Sequence, residues 1–188
     1  MSQNPDKLES QLAGVDTRQS RPPIEKWNPE LSGDIDIRIA RDGTWYFQGG
    51  PMAREALVRL FSTILRRESD GEYYLVTPVE KWRILVEDTP LLAHGLEVSG
   101  QGEDQVIHLT TNTGERVRVD DQHPLRVGSY PDSDEPRPMV LLEHGLEARL
   151  VTAAFYELAG YVTEQPGGDS NRVGVWSAGV FFELGEGA

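Results

Sequence analysis

The sequence predicts an α+β protein made of two packed, related halves. Three observations carry that prediction: short runs in which apolar and polar residues alternate, two segments whose apolar residues recur every three to four positions, and the return of the same order of elements late in the chain. The chain has 188 residues, 38% of them apolar, with 5 Phe, 6 Tyr and 4 Trp, enough for one compact domain or two small ones.

Residues 1–23 are rich in Gln, Ser, Asp and Arg and end in Arg21, Pro22 and Pro23. They offer little apolar surface to offset the entropy of ordering, so a flexible tail is expected. A small α+β half follows over 24–79. Ile35, Ile37 and Ile39 alternate with Asp34, Asp36 and Arg38, the pattern of a half-buried strand, and Arg41, Asp42 and Gly43 turn the chain into a second strand carrying Trp45, Tyr46 and Phe47. Gly49 and Gly50 then lead to Pro51, well placed at the first position of a helix. Met52, Ala53, Ala56, Leu57, Leu60, Phe61, Ile64 and Leu65 form that helix's apolar stripe, with Glu55 and Arg59 paired on its wet face. Two strands, 72–76 and 79–87, are separated by Thr77 and Pro78.

A β-rich half spans 80–188. Short strands over 91–120 make a meander, including 106–110 and 116–119 across the turn at Thr111 to Gly114. Residues 128–138 read as a Pro- and Asp-rich connection, 139–142 as a strand, 145–160 as a second helix, and 173–184 as an aromatic, β-branched stretch broken at Ser177, Ala178 and Gly179.

Shifting the first helix by 94 places Met52, Ala56, Leu57, Leu60, Phe61, Ile64 and Leu65 on Leu146, Leu150, Val151, Ala154, Phe155, Leu158 and Ala159, all apolar. A shift of 101 places the 76–79 break on 177–180. The change of offset falls in the loop around Gly167, where insertions cost little. A duplicated strand-turn-helix-interrupted-strand motif follows.

Composition also excludes functions. Thirty-one acidic residues against eighteen basic ones give a net charge of −13, which disfavours general nucleic-acid binding while leaving room for a local basic pocket. With no cysteine, disulfides, thiolate metal sites and thiol nucleophiles are closed. No stretch reads as a membrane span or a leader, so a cytoplasmic location is expected.

Candidate site residues fall into four groups. Thr77, Pro78, Glu80 and Lys81 lie at an interrupted strand whose broken ladder could offer N–H groups to a ligand, or simply shape the sheet. Trp176 and Ser177 lie at the matching break, and the pair would face one cleft if the halves pack face to face. Gly49, Gly50 and Arg54 could meet a phosphate at a helix start, or form an ordinary turn; the spacing of a Walker loop is absent. Arg126, Arg137 and Arg149 could rim an anion site, or pair with the abundant carboxylates. Asp120, Asp121 and His123 suggest a metal or general-base cluster, or a turn before Pro124. Trp45, Trp82, Tyr156 and Trp176 read as core.

The strings GTWYFQGGPMAREALVRLFSTILRR, YYLVTPVEKWRI, TNTGE, DQHPLRV, PRPMVLLEHGLEARL and VGVWSAGVFFEL, in that order, resemble the motif blocks of the bacterial family known as domain of unknown function 1285, across about residues 24–184. The resemblance implies a duplicated core, a C-terminal half similar to a pleckstrin-homology-like barrel or sheet with a helix, a nucleotide-type ligand held between the halves, and a role in signal transduction. The expectation is a non-enzymatic protein binding a small anionic or nucleotide-like molecule, with no catalytic residue, cofactor or metal assigned. The alternatives are an adaptor that docks a signalling protein, and a hydrolase or lyase using Asp120 and His123.

Overall fold

A computed structural model describes residues 4–14, 21–165, 167 and 171–186. The chain divides into two compact units, Met1–Pro90 with His144–Leu146, and Leu91–Glu143 with Glu147–Ala188. Among the described residues no helix is long and apolar enough to cross a membrane.

In the first unit, β1 (Leu31–Ile39) alternates as expected: Ile35, Ile37 and Ile39 are buried while Asp36 stays exposed. It turns at Gly43 into β2 (Trp45–Phe47), pairing Ile39 with Trp45, and β3 (Gly50–Pro51) adds a third antiparallel strand. Because Pro51 pairs with Tyr46, the chain is still extended where a helix was expected to begin. Helix α2 therefore spans only Glu55–Thr63, and Gly49 belongs to the β2–β3 turn with Gln48, both at positive φ. The apolar stripe narrows to Leu57, Phe61 and Ile64, all buried, and Glu55 meets Arg59 at 3.5 Å as its spacing suggested. Strands β4 (Leu65–Arg67), β5 (Tyr73–Val76) and β6 (Lys81–Val86) follow as a meander. Strand β6 also pairs in parallel with β1, giving one six-stranded sheet in the order β3-β2-β1-β6-β5-β4. That pairing places β6 in the first unit, not in the 80–188 half expected for it.

The described part of the expected tail is ordered. Asn4 caps helix α1 (Pro5–Gln11) through a bond from the Asp6 amide, and Leu8 and Leu12 are 2% and 3% exposed. Two leucines four apart supply the burial that average composition concealed.

The second unit opens with the expected meander, β7 (Leu91–Ser99), β8 (Val106–Thr111) and β9 (Arg116–Arg118). Residues 128–138 are not a connection: β10 (Leu125–Tyr130) and β11 (Ser133–Leu141) form a hairpin through them. Pro136 and Pro138 are tolerated because β12 (Glu147–Leu150) reaches β11 only at Met139–Leu141, so their missing N–H groups leave no partner wanting on that side. Strand β12 replaces the first part of the helix expected over 145–160. Ala148 and Leu150 are buried with Glu147 and Arg149 only half so, and parallel pairing with β7 completes the order β10-β11-β12-β7-β8-β9. Helix α3 is confined to Thr152–Ala159. A separate three-stranded sheet follows: β13 (Thr163–Glu164), β14 (Arg172–Ser177) and β15 (Val180–Glu186). At Gly174 a bulge brings β15 so close that a Cβ would lie 2.2 Å from the Phe182 carbonyl oxygen, so the position admits only glycine.

Both units thus contain a three-stranded meander, a helix and a second three-stranded meander. The buried helix anchors Leu57 and Phe61 correspond to Ala154 and Leu158, an offset of 97 rather than 94.

Candidate functional site

The two strand breaks are hairpin turns with their polar groups satisfied. Between β5 and β6, the Thr77 amide donates to the Glu80 carbonyl at 2.8 Å, and the fully buried Thr77 hydroxyl accepts from the amides of Val79 and Glu80 at 3.3 and 3.0 Å. Pro78 occupies the turn position that suits its fixed φ. These N–H groups are taken, which removes the reason for expecting a ligand on them. Between β14 and β15, Ala178 and Gly179 have φ of 53° and 76°, the signature of a type I′ turn. Ser177, fully buried, donates to the Val119 carbonyl at 2.6 Å and accepts from the Ile107 amide at 2.9 Å, fastening this turn to β8 and the end of β9. Trp176 stacks edge-on against Phe181, with ring centres 5.4 Å apart.

The charged residues beside the first turn are engaged as well. Lys81 Nζ lies 3.0 Å from the Glu68 carboxylate and 5.0 Å from the centre of the Tyr74 ring, and Arg66 joins the same carboxylate at 2.6 Å. Partial burial opposes the charge on Glu68, but the bonds from Arg66 and Lys81 outweigh it and hold its carboxyl below the ordinary range. Tyr74, donating to Asp70, is pushed up to about 12. Glu80 accepts from Lys7 at 2.7 Å, Gln11 at 2.9 Å and the Trp82 indole at 3.2 Å, and the Lys7 bond chiefly depresses its carboxyl. Arg54, at the N-cap of α2, pairs with Asp6 and Glu9 at 3.2 and 3.0 Å. Of the residues expected to meet a ligand in this unit, Arg54, Thr77 and Glu80 instead meet α1.

Asp120 caps the turn that carries His123. Its Oδ1 accepts from the amides of Gln122 and His123 at 3.0 and 2.9 Å and lies 3.3 Å from His123 Nδ1. This Asx turn is the structural alternative to a general base. Among the described residues no three His, Asp or Glu side chains gather as a metal site.

The second unit assembles the three arginines. Arg126 pairs across β10–β11 with Met139, which pairs across β11–β12 with Arg149, and Arg137 is two residues from Met139. Cross-strand partners share a face, as do alternate residues of one strand, so Arg126, Arg137 and Arg149 emerge from one side of the sheet. Arg126 is exposed, whereas Arg137 stacks over the Tyr130 ring at 5.7 Å and stands 3.9 Å from Glu147.

Helix α3 and the β10–β11 hairpin enclose a groove of about 280 Å³, to which Arg149 alone of the three arginines contributes. Its walls are Tyr130, Pro136, Pro138 and Phe155, with Arg149 and Tyr156 among the lining. Tyr156 is 74% exposed rather than core, because α3 turns Ala154 and Leu158 inward and leaves position 156 on the opposite side. Trp45 and Trp82 are core, at 2% and 4% exposure. The groove was missed because its aromatic wall depends on the hairpin through 128–138; the clustering of Tyr130 with two nearby prolines was the available signal.

Residues 22–89 match the family described as domain of unknown function (DUF1285), N-terminal domain, and residues 90–184 match protein of unknown function (DUF1285), C-terminal domain. Two solved structures are similar. A DUF1285 family protein from Silicibacter pomeroyi DSS-3 is 45% identical over 89% of each chain, with a TM-score of 0.83. A DUF1285 family protein from Shewanella baltica OS155 is 29% identical over 67% of this chain and 91% of its own, with a TM-score of 0.53. No curated protein matches the chain.

Proposed function

This chain belongs to the DUF1285 family, and from that premise we propose that it is a non-enzymatic binding protein for a small aromatic anion of nucleotide-like character, held in the groove between α3 and the β10–β11 hairpin. One observation carries the reading: three aromatic rings, two prolines and Arg149 line a single recess, with Glu135 also in the lining, in a protein of net charge −13. Arg149 supplies a positive partner for an anionic group, and aromatic walls accept a planar ring by stacking. The volume lies near the lower end for small-molecule sites, roughly 300 Å³ upward, and suits one ring system with its charged group directed at Arg149. A role in signalling is the part of the proposal that rests on the family resemblance.

The test is a thermal-shift and calorimetric screen against nucleotides, cyclic nucleotides and simple aromatic acids. A ligand at a hundredfold excess over Kd stabilises by about 2.7 kcal/mol, which raises the melting temperature by several degrees. The charge removal Arg149→Gln and the truncation Tyr156→Ala, both in the lining, are each expected to weaken the hit at least tenfold in chains that still melt cooperatively. A flat response over the panel in both methods, or a hit indifferent to both substitutions, refutes the site.

A further inference from the structure

Helix α1 is too short to hold itself. Isolated helices below about 12 residues are marginal in water, and this one has seven. Its helicity is conferred by the surface it lies on, and that surface addresses its side chains individually. Glu80 receives Lys7 and Gln11, the Thr77 hydroxyl donates to the Gln11 side-chain oxygen at 2.8 Å, and Arg54 holds both Asp6 and Glu9. Leu8 and Leu12, four apart, are buried. An apolar pair spaced i, i+4 and flanked by matched polar contacts is the pattern by which grooves recognise amphipathic helices.

Two further observations separate the groove from its occupant. Arg54, Thr77 and Glu80 lie within the stretch matching the family, which begins at residue 22, whereas α1 lies outside it. Nor does α1 fill the space available: at its first turn, Asn4, Pro5 and Asp6 border an open cavity of about 270 Å³ walled by Phe47, Pro51, Met52 and Leu57. A helix continuing further in the N-terminal direction would have apolar surface to cover there.

We infer that the first unit carries a helix-docking groove framed by Arg54, Thr77 and Glu80, which receives an amphipathic helix of a partner protein, and that α1 is its resident in cis. The partner helix carries two leucines four apart, a lysine and a glutamine directed at Glu80 and Thr77, and acidic residues directed at Arg54. The cis arrangement sets the threshold, since a tethered segment competes at an effective concentration in the millimolar range. Exchange then requires a partner that also covers Phe47 and Met52, or a change that releases α1.

A fluorescein-labelled peptide of residues 4–14 is the probe, titrated into the full chain and into the full chain with Leu8→Asp and Leu12→Asp, which cannot seat its own helix. The doubly substituted chain is expected to bind the peptide at least tenfold more tightly than the parent chain, and adding Arg54→Glu and Glu80→Lys is expected to abolish that binding. No binding by a doubly substituted chain that still melts cooperatively overturns the inference, as does concentration-dependent dimerisation of the parent chain that the peptide fails to reverse. Hydrogen exchange on the parent chain decides the matter should the double substitution unfold it. Excess peptide must then strip protection from the amides of Leu8 to Leu12 while leaving those of Ile35 to Ile39 unchanged, and untouched α1 protection counts against the groove.

Discussion

The two units share a plan and close it differently. In the first, β1–β3 and β4–β6 fuse through the parallel pair β1–β6 into a single sheet. In the second, the corresponding strands β10 and β15 pack against each other without joining one sheet, β7, the start of an additional meander, pairs instead with β12, and β13–β15 remains a sheet of its own. The last hairpin turn of each unit begins with a fully buried hydroxyl, Thr77 or Ser177. In the fused unit the sheet needs no further fastening, and Thr77 serves its own turn and α1. In the unfused unit Ser177 supplies part of the missing connection by bonding Ile107 and Val119. A duplicated element thus keeps its chemistry while the partner it satisfies changes.

That comparison can be broken most severely at the helix anchors. Phe61→Ala is expected to destabilise the first unit by about 3–5 kcal/mol and Leu158→Ala the second by about 2–5 kcal/mol, both side chains being fully buried. Calorimetry with hydrogen exchange should assign each loss to the unit that carries the substitution; equal loss of protection in both units would mean that they unfold as one.

The hydroxyls provide a finer contrast. Ser177→Ala leaves the buried Ile107 amide without its acceptor and should cost about 1–3 kcal/mol, registered as lost protection at Ile107 and along β14. Thr77→Ala is expected to cost about 1 kcal/mol, confined to the turn and α1, because the backbone bond from Thr77 to Glu80 survives. If both substitutions unfasten whole sheets, the distinction drawn between the turns is wrong.

The smallest effect is electrostatic and local. Lys7, Gln11 and Trp82 face the Glu80 carboxylate and hold its folded pKa below the ordinary 4.5. Its contribution to docking α1 is therefore complete above that ordinary value and disappears as the pH falls through the lowered one. Exchange protection of Leu8 to Leu12 should fade over that acidic window and return on neutralisation, whereas the Ser177 contacts, which include no titrating group, should persist. A Glu80→Gln chain should show weaker α1 protection at neutral pH and a shallower acid response.

These differences also explain which parts of the molecule were legible from its residues. Strand β1 was plain because Ile35, Ile37 and Ile39 are β-branched, alternate with charged residues and are followed closely by the turn at Arg41 to Gly43, so no helical spacing continues. The stretch from Leu146 to Leu150 fits two periods: Leu146 and Leu150 are one helical turn apart, yet Leu146, Ala148 and Leu150 also alternate, and the strands on either side decide the outcome. For the same reason an amphipathic stripe matches itself at several offsets, and burial moves the helix correspondence by one turn, to 97. The hairpin turns repeat at an offset of 100, which sets hydroxyl on hydroxyl, rather than 101. At the candidate site, Arg126, Arg137 and Arg149 could be grouped by proximity in the chain, but their common face depends on a hairpin whose prolines argued against a strand. Helix α1 was hidden because its stabilising groups, Arg54, Thr77 and Glu80, lie far along the sequence.

The parallel pair β1–β6 has a consequence for synthesis. The first strand of the unit and its last lie side by side at the middle of the sheet, so the central ladder cannot form until residue 86 has left the ribosome. Until then the β1–β2 hairpin and α2 hold an apolar face with no neighbour, and closure must await a loop of some forty residues. The first unit consequently becomes a folded body in one late step, when the emerging chain has already committed its earliest strand to a partner not yet made.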